Sequence, residues 1–541
     1  MTESRVAPRA PDRLARWSAL ATVVACALGA GAPVAAAMPP GPAGQAVRQA
    51  HEALHEVRIE AAERLLAALP ATYDGDADVL ATRALTQLYL GHYDAAVDAM
   101  QRSLEARPVA PHAERDERAG LLELMRKTRD VNHGYVETTS ADGRFVVRHA
   151  PGPDAVLVPY ALEVLRDMDA VLARDLGAKV PGPIRLEIYP TPETLAEVSS
   201  LSVAAIERTG TIALSKWDRL MITSPSALLR GYPWADTIAH ELVHLVLTRA
   251  TKDRAPVWFQ EGMAKFFERS WRGGDPSAHL DPASQALLIE AAHDHKLIPF
   301  KRFYPSIALL PSQRDAALAF AQVSTFVERF YAAHGGEGLI RVDALIADGV
   351  DARTALAKVA GVPFAQLERR WRQSLSQLPE VEEPPRLLAM RFRDKSNKAD
   401  DAQEVKDAAA RRFLRLGDLL WARDRPLAAA REYERAHEAE PSDPIVASRF
   451  AQAALAGGDA KAAVRALEPV VERYPEHAPG RSVLAAALLA TGDVTGARQE
   501  ALDAILLNPF DPSPHCTLAD SATDQAVRHR EQRFCGELSG R

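Results

Sequence analysis

Cysteine is scarce, with three in 541 residues, so the chain cannot be a disulfide-dense scaffold. Basic tracts are missing too. Lys and Arg number 65 against 72 Asp and Glu, for a net charge of −7, and no stretch carries the electrostatic footprint of a nucleic-acid binder. Beyond the N-terminal leader no apolar run reaches the roughly 18 residues of a spanning helix, so no transmembrane segment is expected in the mature chain. What is present, 47% apolar and 25% charged residues, is the composition of a globular protein. The length calls for several domains.

The first residues read as an address rather than as fold. Arg5, Arg9, Arg13 and Arg16 form a positive region, Trp17 to Ala32 an apolar core, and Ala35-Ala36-Ala37 a small-residue cleavage site, which together predict a signal peptide over residues 1–37 and an exported, periplasmic or secreted protein. A lipid anchor at Cys26, after Val23-Val24-Ala25, is the alternative. Cys516 and Cys535 then remain as a candidate disulfide for the C-terminal tail. Free thiols, or a metal role with His515, are the competing readings.

The chemistry concentrates in Ala235 to Leu247. Ile238, Leu242, Leu245 and Val246 recur at helical spacing with no Gly or Pro between them, which predicts one buried helix. On it His240 and His244 lie about 40° apart and about 6 Å along the axis, so both imidazoles converge on one point. A zinc ion fits there at roughly 2.0–2.1 Å from each nitrogen. Glu241 stands about 100° round from His240, placed to take a proton from a metal-bound water rather than to ligate. Sixteen residues separate His244 from Glu261, which stands in Trp258-Phe259-Gln260-Glu261-Gly262 behind Pro256, the start of a second, antiparallel helix that can turn the Glu261 carboxylate toward the histidines. Two His, one Glu and an open position form the ligand set of a catalytic zinc site.

His240-Glu241-x-x-His244, the sixteen-residue gap and Trp-Phe-x-Glu-Gly-x-Ala resemble the gluzincin metallopeptidases, in particular the peptidase MA-like branch. The resemblance implies an α+β zincin-like domain with one zinc on His240, His244 and Glu261, Glu241 as general base, and Glu268 behind a ligand histidine. It also implies a tyrosine about sixty residues after the ligand Glu, inside an Ala-Tyr-Ala-Gln-Ser-like segment. This chain has Ala319-Phe320-Ala321-Gln322-Val323-Ser324, and Phe320 carries no hydroxyl. Tyr304, Tyr331 or a histidine are the candidates to replace it.

Helical repeats flank that domain. Ala84, Leu88, Gly91, Tyr93, Ala96 and Pro108 read as one tetratricopeptide-like unit within residues 43–130. Period-two patterning follows, with a hairpin signal at Asp142-Gly143 and strands at Ile184 to Tyr189, Gly210 to Leu214 and Arg219 to Thr223. The segment from Thr211 to Thr223 is expected to be the sheet edge that receives extended substrate. After a Pro- and Glu-rich linker, residues 379–408, Pro441, Pro475 and Pro509 recur every thirty-four residues, the period of tetratricopeptide repeats. They predict an array over residues 409–541 that buries its core between its own neighbours and closes with a helix near Thr523 to Phe534.

These features specify an exported, predominantly helical protein: a zinc metallopeptidase domain over residues 131–378, acting on peptide or protein substrates, with repeats that recruit substrates or partner proteins. A repeat scaffold with a decayed peptidase domain is the alternative that Phe320 favours. A role shared with envelope quality-control peptidases is a third reading.

Overall fold

The computed structural model describes residues 42–106, 112–274, 276–303, 307, 310–388, 390–393 and 401–540; the expected signal peptide, Cys26 and Tyr304 lie outside them. The chain divides into two compact units, one of residues 1–131 with 196–206, the other of residues 132–195 with 207–541.

The first unit is helical. Its elements are α1 (Pro42–His55), α2 (Ile59–Ala67), α3 (Ala77–Tyr89), α4 (Tyr93–Glu105) and most of α5 (His112–Asn132). Between α3 and α4 the chain turns at Gly91, φ +77°, a left-handed conformation that favours glycine. Asp76 caps α3 by accepting from Asp78 and Val79 N–H. Ala50, Ala53, Leu54, Ile59, Ala62 and Leu66 form a small core.

The second unit opens with β1 (Val136–Thr139), β2 (Phe145–His149), α6 (Val158–Asp175), β3 (Ile184–Tyr189), β4 (Ala213–Lys216) and β5 (Arg219–Thr223); α7 (Pro192–Glu197) and α8 (Val203–Thr209), between β3 and β4, are each divided between the two units. The sheet runs β1-β2-β3-β5-β4. Its central pairings, β2 with β3 and β3 with β5, are parallel, and both outer ones are antiparallel. Within the segment expected to be the edge, β4 is an edge strand and β5 is interior. Successive side chains of β3 serve opposite faces. Ile184, Leu186 and Ile188 join Phe145, Val147, Leu220 and Ile222 in the main core. On the other face Glu187, fully buried, accepts from Tyr189 Oη at 2.5 Å and pairs with Arg219 at 3.1 Å, so the buried charge is matched.

Helices follow: α9 (Trp234–Ala250), α10 (Val257–Phe267), α11 (Pro282–His293), α12 (Gln313–Ala347), α13 (Ala352–Ala360) and α14 (Phe364–Leu375). Gly335, at φ +64° and ψ −172°, breaks α12 into two helical runs. Helix α9 packs on α6, β4 and β5. The β4–β5 turn uses Trp217 and Asp218, both at positive φ, where Asn-Gly is usual. Arg249, near the C-terminal end of α9, grips Asp218 through two bonds of 2.8 and 2.6 Å and so ties the edge hairpin to that helix.

The repeats are hairpins of α15 (Ala408–Trp421) with α16 (Pro426–Ala439), α17 (Pro444–Ala456) with α18 (Ala460–Arg473), α19 (Ala478–Thr491) with α20 (Val494–Ile505), and α21 (Pro512–Ser521) with α22 (Gln525–Ser539). Cys516 and Cys535 are disulfide-bonded across the last hairpin. Contrary to a self-contained array, Ala485, Ala501, Ile505, Leu506, Leu518 and Phe534 belong to the same core as the sheet and α9. The reason lies in the chain between the repeats and α9. Gly231 leaves no room for a side chain, since a Cβ there would sit 2.2 Å from Leu507 O. Trp234 Nε1 donates to Ile505 O at 3.0 Å, and Tyr160 Oη donates to Glu531 at 2.7 Å. The stretch read as a linker is also held: Leu229 N–H donates to Arg391 O, Arg393 N–H to Ala227 O, and Arg386 pairs with Asp443 at 2.8 Å.

Candidate metal centre

Helix α9 is apolar on nearly every side, and Trp234, Ile238, Leu242, Val243 and Leu247 are fully buried. That fixes its rotation, and it turns His240 and His244 toward α10. Helix α10 starts behind Pro256 and comes close to α12 at Gly262, where a Cβ would lie 2.9 Å from Val323 O. Glu261, one residue earlier, is thereby pressed toward the histidines.

Three side chains predicted from the sequence meet. His240 Nε2 lies 3.2 Å from His244 Nε2 and 3.3 Å from Glu261 Oε2, and His244 Nε2 lies 3.4 Å from the same oxygen. Tetrahedral ligands held at roughly 2.0–2.1 Å from a zinc ion stand about 3.3 Å apart, so the donor triangle has the size such an ion needs. The far ring nitrogens meet acceptors: His240 Nδ1 lies 3.2 Å from Glu268 Oε2, and His244 Nδ1 lies 3.4 Å from Gln260 Oε1, whose amide is itself oriented by Ala255 O. With both Nδ1 atoms donating, both Nε2 lone pairs point at one another and at a carboxylate oxygen. That arrangement requires positive charge between them.

Without a metal, protons meet that demand. Burial opposes charge on His240, but Glu261 and Glu268 outweigh it and raise its pKa to about 10. Burial likewise opposes charge on Glu261, yet His244 and His240 hold its carboxyl far below the usual range. Glu241 behaves differently. Burial raises its pKa against the pull of His244 and His240, and its Oε2 has no hydrogen-bond partner among the described residues. A carboxylate at 5% exposure with an idle oxygen beside two imidazoles can accept a proton from a molecule in the site.

Other candidates are engaged elsewhere. Phe320 packs half-buried against the core, and the Tyr331 ring packs tilted against Phe266 and edge-on to Phe267. His293 bonds Glu380 and Leu378 O, His334 lies on Phe330, and His515 is buried against Glu531 at 2.6 Å. A cavity of about 770 Å³ lies between α11, α12 and α14, walled by Leu288, Phe326, Phe330 and Trp371; none of His240, His244 and Glu261 lines it. Sequence reasoning missed Gln260 and Lys265. Lys265 had a signal: with Glu261 and Glu268 it follows i, i+4, i+7 spacing, which places all three on one helical face.

Residues 166–377 match the family model described as Peptidase MA superfamily, and residues 448–513 match a tetratricopeptide repeat. No curated protein matches the chain. Solved structures similar to parts of it include a thermophilic TPR protein of Thermus thermophilus, at 25% identity over 24% of this chain and 74% of that one, TM-score 0.22. Another is native yeast LTA4 hydrolase, at 11% identity over 74% of this chain and 67% of that one, TM-score 0.28. At those scores neither likeness bears on function.

Proposed function

We propose that this chain, with a Peptidase MA superfamily domain and tetratricopeptide repeats, is an exported zinc-dependent peptidase. The observation that carries the reading is the triangle of His240 Nε2, His244 Nε2 and Glu261 Oε2, whose ligating atoms lie within 4.8 Å of one another. His240, His244 and Glu261 would hold the zinc, with Gln260 and Glu268 orienting the two rings. When bound, the ion supplies Lewis acidity that brings the pKa of water toward about 7. Glu241 takes the proton of the attacking water on Oε2 and returns it to the departing amine. The edge strand β4 would supply backbone donors and acceptors to an extended peptide, and Arg249 ties that hairpin to α9. The repeats offer surface to protein substrates or partners.

A second reading, a repeat scaffold whose peptidase domain has decayed, is favoured by Phe320 alone; Glu241 and all three ligands are retained. The test is metal analysis and peptide-cleavage screening of wild type, His244→Ala and Glu241→Gln. Wild type should carry close to one zinc per chain and cleave peptides. His244→Ala should lose the metal. Glu241→Gln should keep both metal and fold and lose cleavage, because it deletes the base and spares the ligands. Wild-type cleavage by Glu241→Gln would refute the mechanism, and a zinc-loaded wild type inert on every peptide would favour the scaffold.

A further inference from the structure

Lys265 belongs to none of the roles assigned so far. It sits on α10 one turn past Glu261, and its Nζ lies 2.5 Å from Glu268 Oε1. The other oxygen of that carboxylate, Oε2, is the one 3.2 Å from His240 Nδ1. Side-chain exposure is 28% for Lys265, 10% for Glu268 and 14% for His240, so this is no solvated pair on a helix surface. An ordinary i, i+3 ion pair would leave the carboxylate free to rotate among waters. Here each oxygen has one partner among the described residues, so turning Glu268 away from His240 also strains its bond to the ammonium.

On the reading of His240, His244 and Glu261 as a zinc site, we infer that Lys265 is a positioning residue for the metal. It fixes the Glu268 carboxylate so that His240 keeps its proton on Nδ1 and presents Nε2 as a lone pair. The same helical face thus supplies a ligand, Glu261, the carboxylate that orients a second ligand, and the cation that orients that carboxylate. The ammonium is itself well held: burial acts against its charge, but Glu268 foremost, with Glu476 from the turn before α19 and Asp281 at the start of α11, keep it protonated beyond the ordinary lysine range. Glu476 belongs to the repeats, so the array places a carboxyl, whose pKa burial raises to about 7, in the surroundings of Lys265 as well as apolar contacts in the core.

The test measures zinc affinity of the full chain by competition with a chromophoric chelator, in wild type, Lys265→Met, Lys265→Arg and Glu268→Gln, alongside melting temperatures of the zinc-free proteins. Outer partners of metal-ligating histidines typically contribute about 10- to 100-fold in affinity. Lys265→Met should therefore weaken zinc binding about tenfold and Glu268→Gln at least as much, while Lys265→Arg, which keeps a cation facing Oε1, should stay within a few-fold of wild type. A purely structural ion pair would lower the zinc-free melting temperature of Lys265→Met and leave affinity unchanged; that result overturns the proposal. Should Lys265→Met not fold, Lys265→Arg and Glu268→Gln decide: a loss in Glu268→Gln with retention in Lys265→Arg supports the chain of contacts, and equal affinities in all variants refute it. Wild type that takes up no zinc would overturn the metal-site reading beneath the proposal, and that control separates the two failures.

Discussion

Asp343, on the second run of α12, is 6% exposed, among Leu339, Val342 and Ile346, and its Oδ1 has no hydrogen-bond partner among the described residues. Burial pushes its carboxyl up to about 8, against about 3.9 in an unfolded chain. Between those values the native state holds a proton that the unfolded state has released. Stability therefore falls as pH rises from about 4 to about 8, by about 1.4 kcal/mol for each pH unit crossed. Asp343→Asn keeps a neutral side chain of the same shape and removes the ionisation. Its melting temperature, relative to wild type at equal metal loading, should rise between pH 5 and pH 8. A difference that does not change with pH would show that Asp343 does not titrate as a buried acid.

At the scale of elements the site depends on how closely two helices approach. Glycine inside a helix ordinarily costs about 1 kcal/mol relative to alanine, so Gly262→Ala on α10 would stabilise an isolated helix. In the fold the added methyl carbon would meet Val323 O and Val327 Cγ2 at 2.9 Å each, and backbone cannot give way as a side-chain tip can. Gly262→Ala should therefore cost roughly 1–3 kcal/mol through overpacking. It should also weaken zinc binding, because the displaced helix carries Glu261. Thermal melts and zinc titration check both parts, and a variant that melts higher than wild type would show that α10 and α12 have room to spare.

For the whole molecule the repeats matter through what they complete. Ending the chain at residue 398 would strip Ile505, Leu506, Leu518 and Phe534 from the main core and remove the acceptors of Trp234 Nε1 and Tyr160 Oη, both deeply buried groups. It would also remove Asp503, whose carboxylate takes the Arg272 Nη1 bond at 2.9 Å; Arg272 in turn holds Asp236 one turn before His240. Each buried donor left unpaired costs about 1–3 kcal/mol, and the lost apolar burial adds to that. The truncated protein should lose cooperative unfolding and zinc binding together, as circular dichroism melts and metal analysis would show. A truncated chain with the wild-type melting temperature would establish that the repeats fold apart from the peptidase domain.

Sequence by itself determined whatever repeats locally. The His240–His244 spacing, the thirty-four-residue period and the Asp142-Gly143 turn are all legible because helix and turn geometry relates residues a few positions apart. Glu261 was legible because Pro256 and a short loop leave the second helix little choice of direction. Only the tertiary structure decided that β4 is an edge and β5 is not, that Glu268 divides its two oxygens between His240 and Lys265, and that Glu531 reaches Tyr160 across 371 positions. Contacts of that kind have no period. They follow from which faces are left to bury once each helix and strand has formed, and in this chain the face beside α9 is buried by the repeats.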